Sequence, residues 1–224
     1  MRTDFQLFGL PHLAILGAIP LAAWALARIG RRSAAAARAL RMTLGVFLLA
    51  NELVWNVYKL RTEGWRFPEG LPLQLCDLGL WMTILATFTL RPLAVETAYF
   101  VGVGGGAQAV LTPDLWAPTC SYPTAYFFVA HGGVITAIVA VLGSGEARLR
   151  PGSMWRAFGV ANAWMLLVAG FNWRYGANYM YLCRKPASAS LLDKLGPWPW
   201  YILAGELMAV VVFALLWLPF ARRR

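Results

Sequence analysis

The sequence predicts an all-α, polytopic membrane protein of seven transmembrane helices, with its amino terminus outside and its carboxyl terminus inside. Three observations carry this. Of 224 residues, 59% are hydrophobic and only 13% charged, where a soluble domain carries roughly 25% charged residues, and mean hydropathy is +0.57. The apolar residues fall in segments of about 20, the length of helix that crosses a hydrocarbon core of about 30 Å. Basic residues collect in the connections of one side, as positively charged loops do on the cytoplasmic face. The segments run end to end, so residues 1–224 form a single membrane domain.

The first span runs from about Leu10 to Ile29 and the second from about Leu40 to Tyr58. The third begins after Pro72 and ends before Arg91. The fourth runs from Pro92 to about Leu111, the fifth from Pro123 to Leu142 and the sixth from Met154 to about Trp173. The seventh starts near Pro199 and ends before the arginines at 222–224. Pro72, Pro92 and Pro123 each open a span, where a missing amide hydrogen costs nothing. The first loop (Arg28, Arg31, Arg32, Arg38, Arg41), Arg91, the group Arg148, Arg150 and Arg156, and the tail hold 12 of the 20 basic residues, with Glu146 the one acid among those loops. On the other side eight basic residues are diluted by Asp4, Glu63, Glu69, Asp114 and Asp193. The net charge of +10 therefore reads as membrane topology and excludes a nucleic-acid partner. The first segment is no cleaved signal peptide, because its basic residues follow the apolar run.

Polar residues inside the spans are expensive and mark function. His12, Glu52, Asn56, Cys76, Asp77, Gln108, His131, Asn172 and Glu206 come from all seven spans and fall within a slab about 10 Å thick near the outer face, at 1.5 Å per residue. Glue between helices has no reason to collect on one side, whereas a cavity open to the outer leaflet would collect it. Glu96 lies near the inner end of its span and is left out. Within the layer, Cys76 and His131 are the pair with chemistry, since a thiol becomes nucleophilic when an imidazole takes its proton. Asp77 or Glu52 is placed to orient that imidazole, and Asn56, Gln108, Asn172, Glu206 and His12 to support it. Glycines at 132, 133, 102 and 106 give the fourth and fifth helices smooth faces for close approach. Cys120 and Cys183 both lie in outer loops, paired or unpaired. Two histidines and scattered cysteines lack the spacing of a metal site, and nothing points to a cofactor.

The last loop reads as an aromatic belt (Trp198, Trp200, Tyr201) with a basic rim of Arg174, Arg184 and Lys185, fit to hold a lipid phosphate. Asn172 and Asn178 flank a glycine-containing break where backbone leaves the helix and lines a polar pocket.

The string Asn172-Trp173-Arg174-Tyr175-Gly176-Ala177-Asn178-Tyr179-Met180-Tyr181-Leu182, followed by Arg184-Lys185-Pro186, Ser190-Leu191-Leu192-Asp193 and Gly196-Pro197-Trp198-Pro199-Trp200-Tyr201, resembles the YwaF family of bacterial integral membrane proteins. So do Leu71-Pro72-Leu73-Gln74-Leu75-Cys76-Asp77, the segment from Gln108 to Asp114, and Ala130-His131-Gly132. More distantly the chain is similar to the family of eukaryotic transmembrane protein 164, an acyltransferase of ether-linked phospholipid synthesis. The first resemblance implies a bacterial cytoplasmic membrane location; the second implies membrane lipids as substrate or ligand, a cysteine acyl carrier at Cys76 and a histidine base at His131. Gln74, Arg174, Asn178, Tyr179, Arg184 and Lys185 are then the substrate-binding candidates. Gln74 departs from the family pattern, which carries histidine there in many relatives. The sequence thus points to transfer or hydrolysis of a lipid acyl group. Its rival is a transporter or lipid-binding protein that uses Glu52 and Glu206 as relay carboxylates; a structural membrane partner is the third reading.

Overall fold

A computed structural model describes residues 5–186 and 191–221. Asp4, Ser190 and the arginines at 222–224, which enter the loop-charge count and the family signature, lie outside the described residues. Eight α-helices follow in order: α1 (Leu10–Gly30), α2 (Ala34–Glu63), α3 (Leu75–Thr89), α4 (Pro92–Thr97), α5 (Gly104–Leu111), α6 (Tyr122–Ser144), α7 (Ser153–Tyr175) and α8 (Trp200–Ala221). A π-helical stretch, Ala98–Val103, runs α4 into α5, so the fourth predicted span is one rod in three pieces. There is no strand among the described residues. Four helices, α1, α6, α7 and α8, are long and apolar enough to cross a membrane, with mean hydropathy between 1.2 and 2.2.

The other rods depart from the expected spans for identifiable reasons. α2 has 30 residues, because Ser33 caps Ala36 N–H and the alanine-rich start propagates the helix well before Leu40. Its charged ends dilute its hydropathy. α3 has only 15 residues, about 22 Å at 1.5 Å each, short of a full crossing. Pro72 does not open it; Gln74 is the N-cap, because the Asp77 carboxylate accepts the Gln74 N–H at 2.8 Å. Cys76 therefore sits in the first turn of α3, nearer the end than expected.

The π-helical stretch is the hub: all six of its residues are buried, and α3, α4, α5, α6 and α7 pack around it. α1 packs most extensively on α6, through a face of small residues, Ala23, Ala27 and Gly30, that admits close approach. α8 stands at the edge with only Tyr201 and Phe213 buried. Large apolar residues such as Leu21, Phe47, Val54, Leu166, Leu207 and Leu215 are more than half exposed. Outward apolar surface around a compact core is what a lipid solvent requires.

The carboxylate set aside in the sequence closes the end of the bundle opposite Cys76. Glu96 is fully buried and takes four charge-assisted hydrogen bonds, from Arg150 Nε and Nη2 at 2.8 and 3.1 Å and from Arg156 Nε and Nη2, both at 2.8 Å. This ties α4 to the loop before α7 and to α7 itself. Glu96→Gln removes the charge that both guanidinium groups face. The expected loss is about 3 kcal/mol, the lower end for breaking a buried pair because both arginines reach solvent; thermal unfolding in detergent measures it.

Candidate functional site

The site grows from one close contact. A Cβ on Gly79 would lie 3.0 Å from the Gly102 Cα, and one on Gly102 would lie 2.7 Å from Val134 Cγ1. α3, the π-helical stretch and α6 thus meet almost backbone to backbone. Toward the Cys76 end the same elements diverge and leave a cavity of about 360 Å³. Gly102, Gly106, Val101 and Val134 form its floor; Gln74, Cys76 and Asp77 come from α3, Tyr126 and His131 from α6, Trp55 from α2. Trp116, in the loop before α6, lines it too.

Cys76 is exposed to this cavity and is a free thiol. It is the second residue of α3, where the first turn of a helix leaves backbone N–H donors open. His131 Nδ1 is 2.8 Å from the Phe127 carbonyl oxygen. A carbonyl only accepts, so Nδ1 carries the proton and Nε2 of the neutral ring keeps its lone pair. Nε2 has no protein partner among the described residues. Gln74 Oε1 accepts the Met180 N–H at 2.9 Å, and its two amide N–H donors have no partner among the described residues.

Neither Glu52 nor Asp77, expected to orient the imidazole, bonds to His131 among the described residues. One oxygen of Asp77 accepts the Gln74 N–H. Glu52, fully buried, accepts from Tyr126 Oη at 2.5 Å and from Asn56 Nδ2 at 2.7 Å. A helix carbonyl one turn back orients His131 instead. Tyr126, held by Glu52 and stacked on Trp55 at 4.2 Å, is a cavity wall that the sequence reading missed. Its signal was Glu52 itself: a carboxylate buried in lipid needs a donor from a neighbouring helix.

The single polar layer also divides. His12 is fully buried outside the cavity, with Nδ1 accepting from Phe8 N at 3.0 Å and Nε2 donating to the Val110 carbonyl at 2.7 Å. Both ring nitrogens are spent pinning α1 to the end of α5. Gln108 and Glu206 line a different cavity of about 150 Å³ between α5, α7 and α8, where Asn162 donates to Glu206 at 2.9 Å. Glu52 and Glu206 thus do not share a pocket.

The residues after α7 fold back on the segment that leads into α3. Asn172 binds both the N–H and the C=O of Tyr179, at 3.0 and 2.9 Å. Tyr179 Oη accepts from Leu71 N at 2.8 Å and donates to the Pro68 carbonyl at 2.6 Å; burial raises the pKa of this phenol and keeps it a donor. Asn178 accepts from the N–H groups of Cys183 and Arg184. Asn172, Asn178 and Tyr179 therefore hold backbone in place rather than face the cavity. Arg174 stacks over Tyr175, and Lys185 lies over Tyr201 and 4.0 Å from Asp193. With Arg184, these form no part of the wall around Cys76. Cys120 and Cys183 are free thiols.

Apolar rods around a polar pocket with a thiol and a free imidazole nitrogen define an integral membrane protein of the helical class. The chain belongs to the TMEM164 family, which it matches over residues 7–217. This is the second of the two families that its motifs resemble. No curated protein and no solved structure matches it.

Gly79→Ala tests the contact beneath the cavity. Its Cβ meets Gly102 backbone that cannot yield, so the variant is expected to lose about 1–3 kcal/mol of stability. Gly105→Ala, whose Cβ meets nothing within 4 Å, is expected to unfold no lower than wild type on heating, because alanine favours the helix.

Proposed function

We propose that the protein transfers an acyl group between membrane lipids through a thioester on Cys76, with His131 as the base. The observation that carries this reading is the cavity itself: a free thiol and an imidazole with an open Nε2 come from different helices into one pocket walled by Trp55, Phe127 and Val134. We place the pocket toward the outer leaflet of a seven-span bundle, with the amino terminus outside.

In the first half-reaction His131 Nε2 takes the Cys76 proton and sulfur attacks the carbonyl carbon of a lipid ester. The carbonyl oxygen gains negative charge, and the N–H groups at the start of α3 and the Gln74 amide are the donors near it. The tetrahedral adduct collapses, the C–O bond breaks, and His131 returns the proton to the departing lipid oxygen. The acyl group is then a thioester on Cys76. In the second half His131 takes the proton of an incoming lysolipid hydroxyl, whose oxygen attacks the thioester. The C–S bond breaks and the proton passes to sulfur. Gln74 donates hydrogen bonds without titrating, so one imidazole handles both proton transfers. The aromatic and aliphatic walls suit an acyl chain and limit water, which favours transfer over hydrolysis.

The test is labelling of purified protein with a lipid bearing a radioactive acyl chain. Wild type is expected to retain label that neutral hydroxylamine releases. Cys76→Ser is expected to retain none as thioester, and His131→Ala to label at least about 100-fold more slowly, the usual contribution of a positioned base. His12→Phe is expected to lower stability through its lost hydrogen bonds and leave labelling of the folded fraction intact. Label that persists in Cys76→Ser and His131→Ala removes the mechanism.

A further inference from the structure

The membrane face opposite Cys76 holds a cavity that acyl transfer does not use. It has a volume of about 690 Å³ and stands between the last turns of α1, α6 and α8 and the loop that leads to α7. Arg31 and Arg148 line it from one side; Trp217 and Phe220 of α8, with Leu142 and Leu149, supply its apolar wall.

Two features separate it from the ordinary basic rim of a membrane protein. Arg31 is held in place, because its Nε donates to the Gly143 carbonyl at 2.6 Å. Its two terminal nitrogens have no partner among the described residues and form a fixed fork, the geometry that matches two oxygens of one phosphate. Arg148 is exposed and has no partner among the described residues. The acids nearby do not line this cavity. Glu96 is enclosed by Arg150 and Arg156, and Glu146 pairs through Oε1 with Arg41 at 3.3 Å while its Oε2 is buried away from the cavity. The two cations therefore face a wall that carries no acid among the described residues. A free loop charge needs neither an anchored guanidinium nor a wall of tryptophan and phenylalanine.

We propose that this cavity binds the phosphodiester headgroup of an anionic membrane lipid. The phosphate sits between Arg31 and Arg148, and the first methylenes of the lipid lie against Trp217 and Phe220. The bound lipid also has a structural consequence. α8 buries only Tyr201 and Phe213, and the cavity stands between its end and the ends of α1 and α6. Occupation bridges α8 to the bundle, so the lipid raises stability by mass action.

The experiment follows thermal unfolding of the full chain in dodecyl maltoside while dioleoylphosphatidylglycerol, dioleoylphosphatidylcholine or sodium phosphate is added. Phosphatidylglycerol is expected to raise the unfolding temperature to a plateau, at concentrations where the other two do nothing. Arg148→Gln, at an exposed and unpaired position, is expected to weaken the half-saturating concentration about fivefold, and the Arg31→Gln, Arg148→Gln pair about thirtyfold, from about 1 kcal/mol for each basic residue at an anionic surface. Arg38→Gln with Arg91→Gln, on the same face but away from the cavity, is expected to change it little. The proposal is overturned by equal stabilisation by phosphatidylcholine, equal weakening by the Arg38 and Arg91 pair, or unchanged affinity in Arg148→Gln. Equal stabilisation by phosphate alone also overturns it, since the site then recognises the free anion.

Discussion

The contact on which the candidate site depends is the meeting of Gly79, Gly102 and Val134. Lipid offers no hydrophobic force to press helices together, so close van der Waals packing must do it. Two glycines let α3 and the π-helical stretch touch through backbone, and Val134 fits over Gly102 from α6. Above this contact α3 simply ends, fifteen residues from its far terminus. A helix too short to cross leaves room at one face of the bundle. The cavity is that room, floored by the glycines and lined as well by Trp116 of the loop before α6. A full-length α3 would fill it with its own next turn.

Much of this was legible in the residues. The apolar segments gave the rods in the right order, and the glycines at 102, 106, 132 and 133 marked faces that do pack closely, the last two against Ile19 and Leu48. Cys76 and His131 do line one pocket. What could not be read was how the remaining polar groups share hydrogen bonds, because depth along a helix says nothing of rotation about it. His12 and Gln108, expected in the same layer, lie outside the Cys76 cavity. The start of α3 was placed by Pro72, whereas the Asp77 carboxylate decides it. Tyr126 could not be read because its role depends on Glu52 of a neighbouring helix.

The two ends of the bundle use buried polarity differently. Glu96 is satisfied by four hydrogen bonds from two arginines, and nothing of it is left for a ligand. Breaking such a network costs far more than its net contribution to folding, so that end of the bundle has one stable arrangement. At the other end Asn172, Asn178 and Tyr179 bind backbone that has left the helices. Non-helical backbone at membrane depth needs such partners, since lipid supplies none.

These commitments narrow the chemistry. Glu52 is spent on Tyr126 and Asn56, His12 on two backbone groups, and Asn172 on Tyr179. Around the cavity the polar side-chain groups left with capacity among the described residues are the Cys76 thiol, His131 Nε2, the Gln74 amide N–H pair, the second oxygen of Asp77 and the indole N–H groups of Trp55 and Trp116. A nucleophile, an acceptor for its proton and a neutral donor together make the minimum set for moving an acyl group. A solute relay would need titrating groups spaced along a path, and the two carboxylates that such a path would use line separate parts of the bundle, one of them fully bonded. The acyl-transfer reading therefore rests less on the identity of Cys76 and His131 than on their being unfinished where their neighbours are complete.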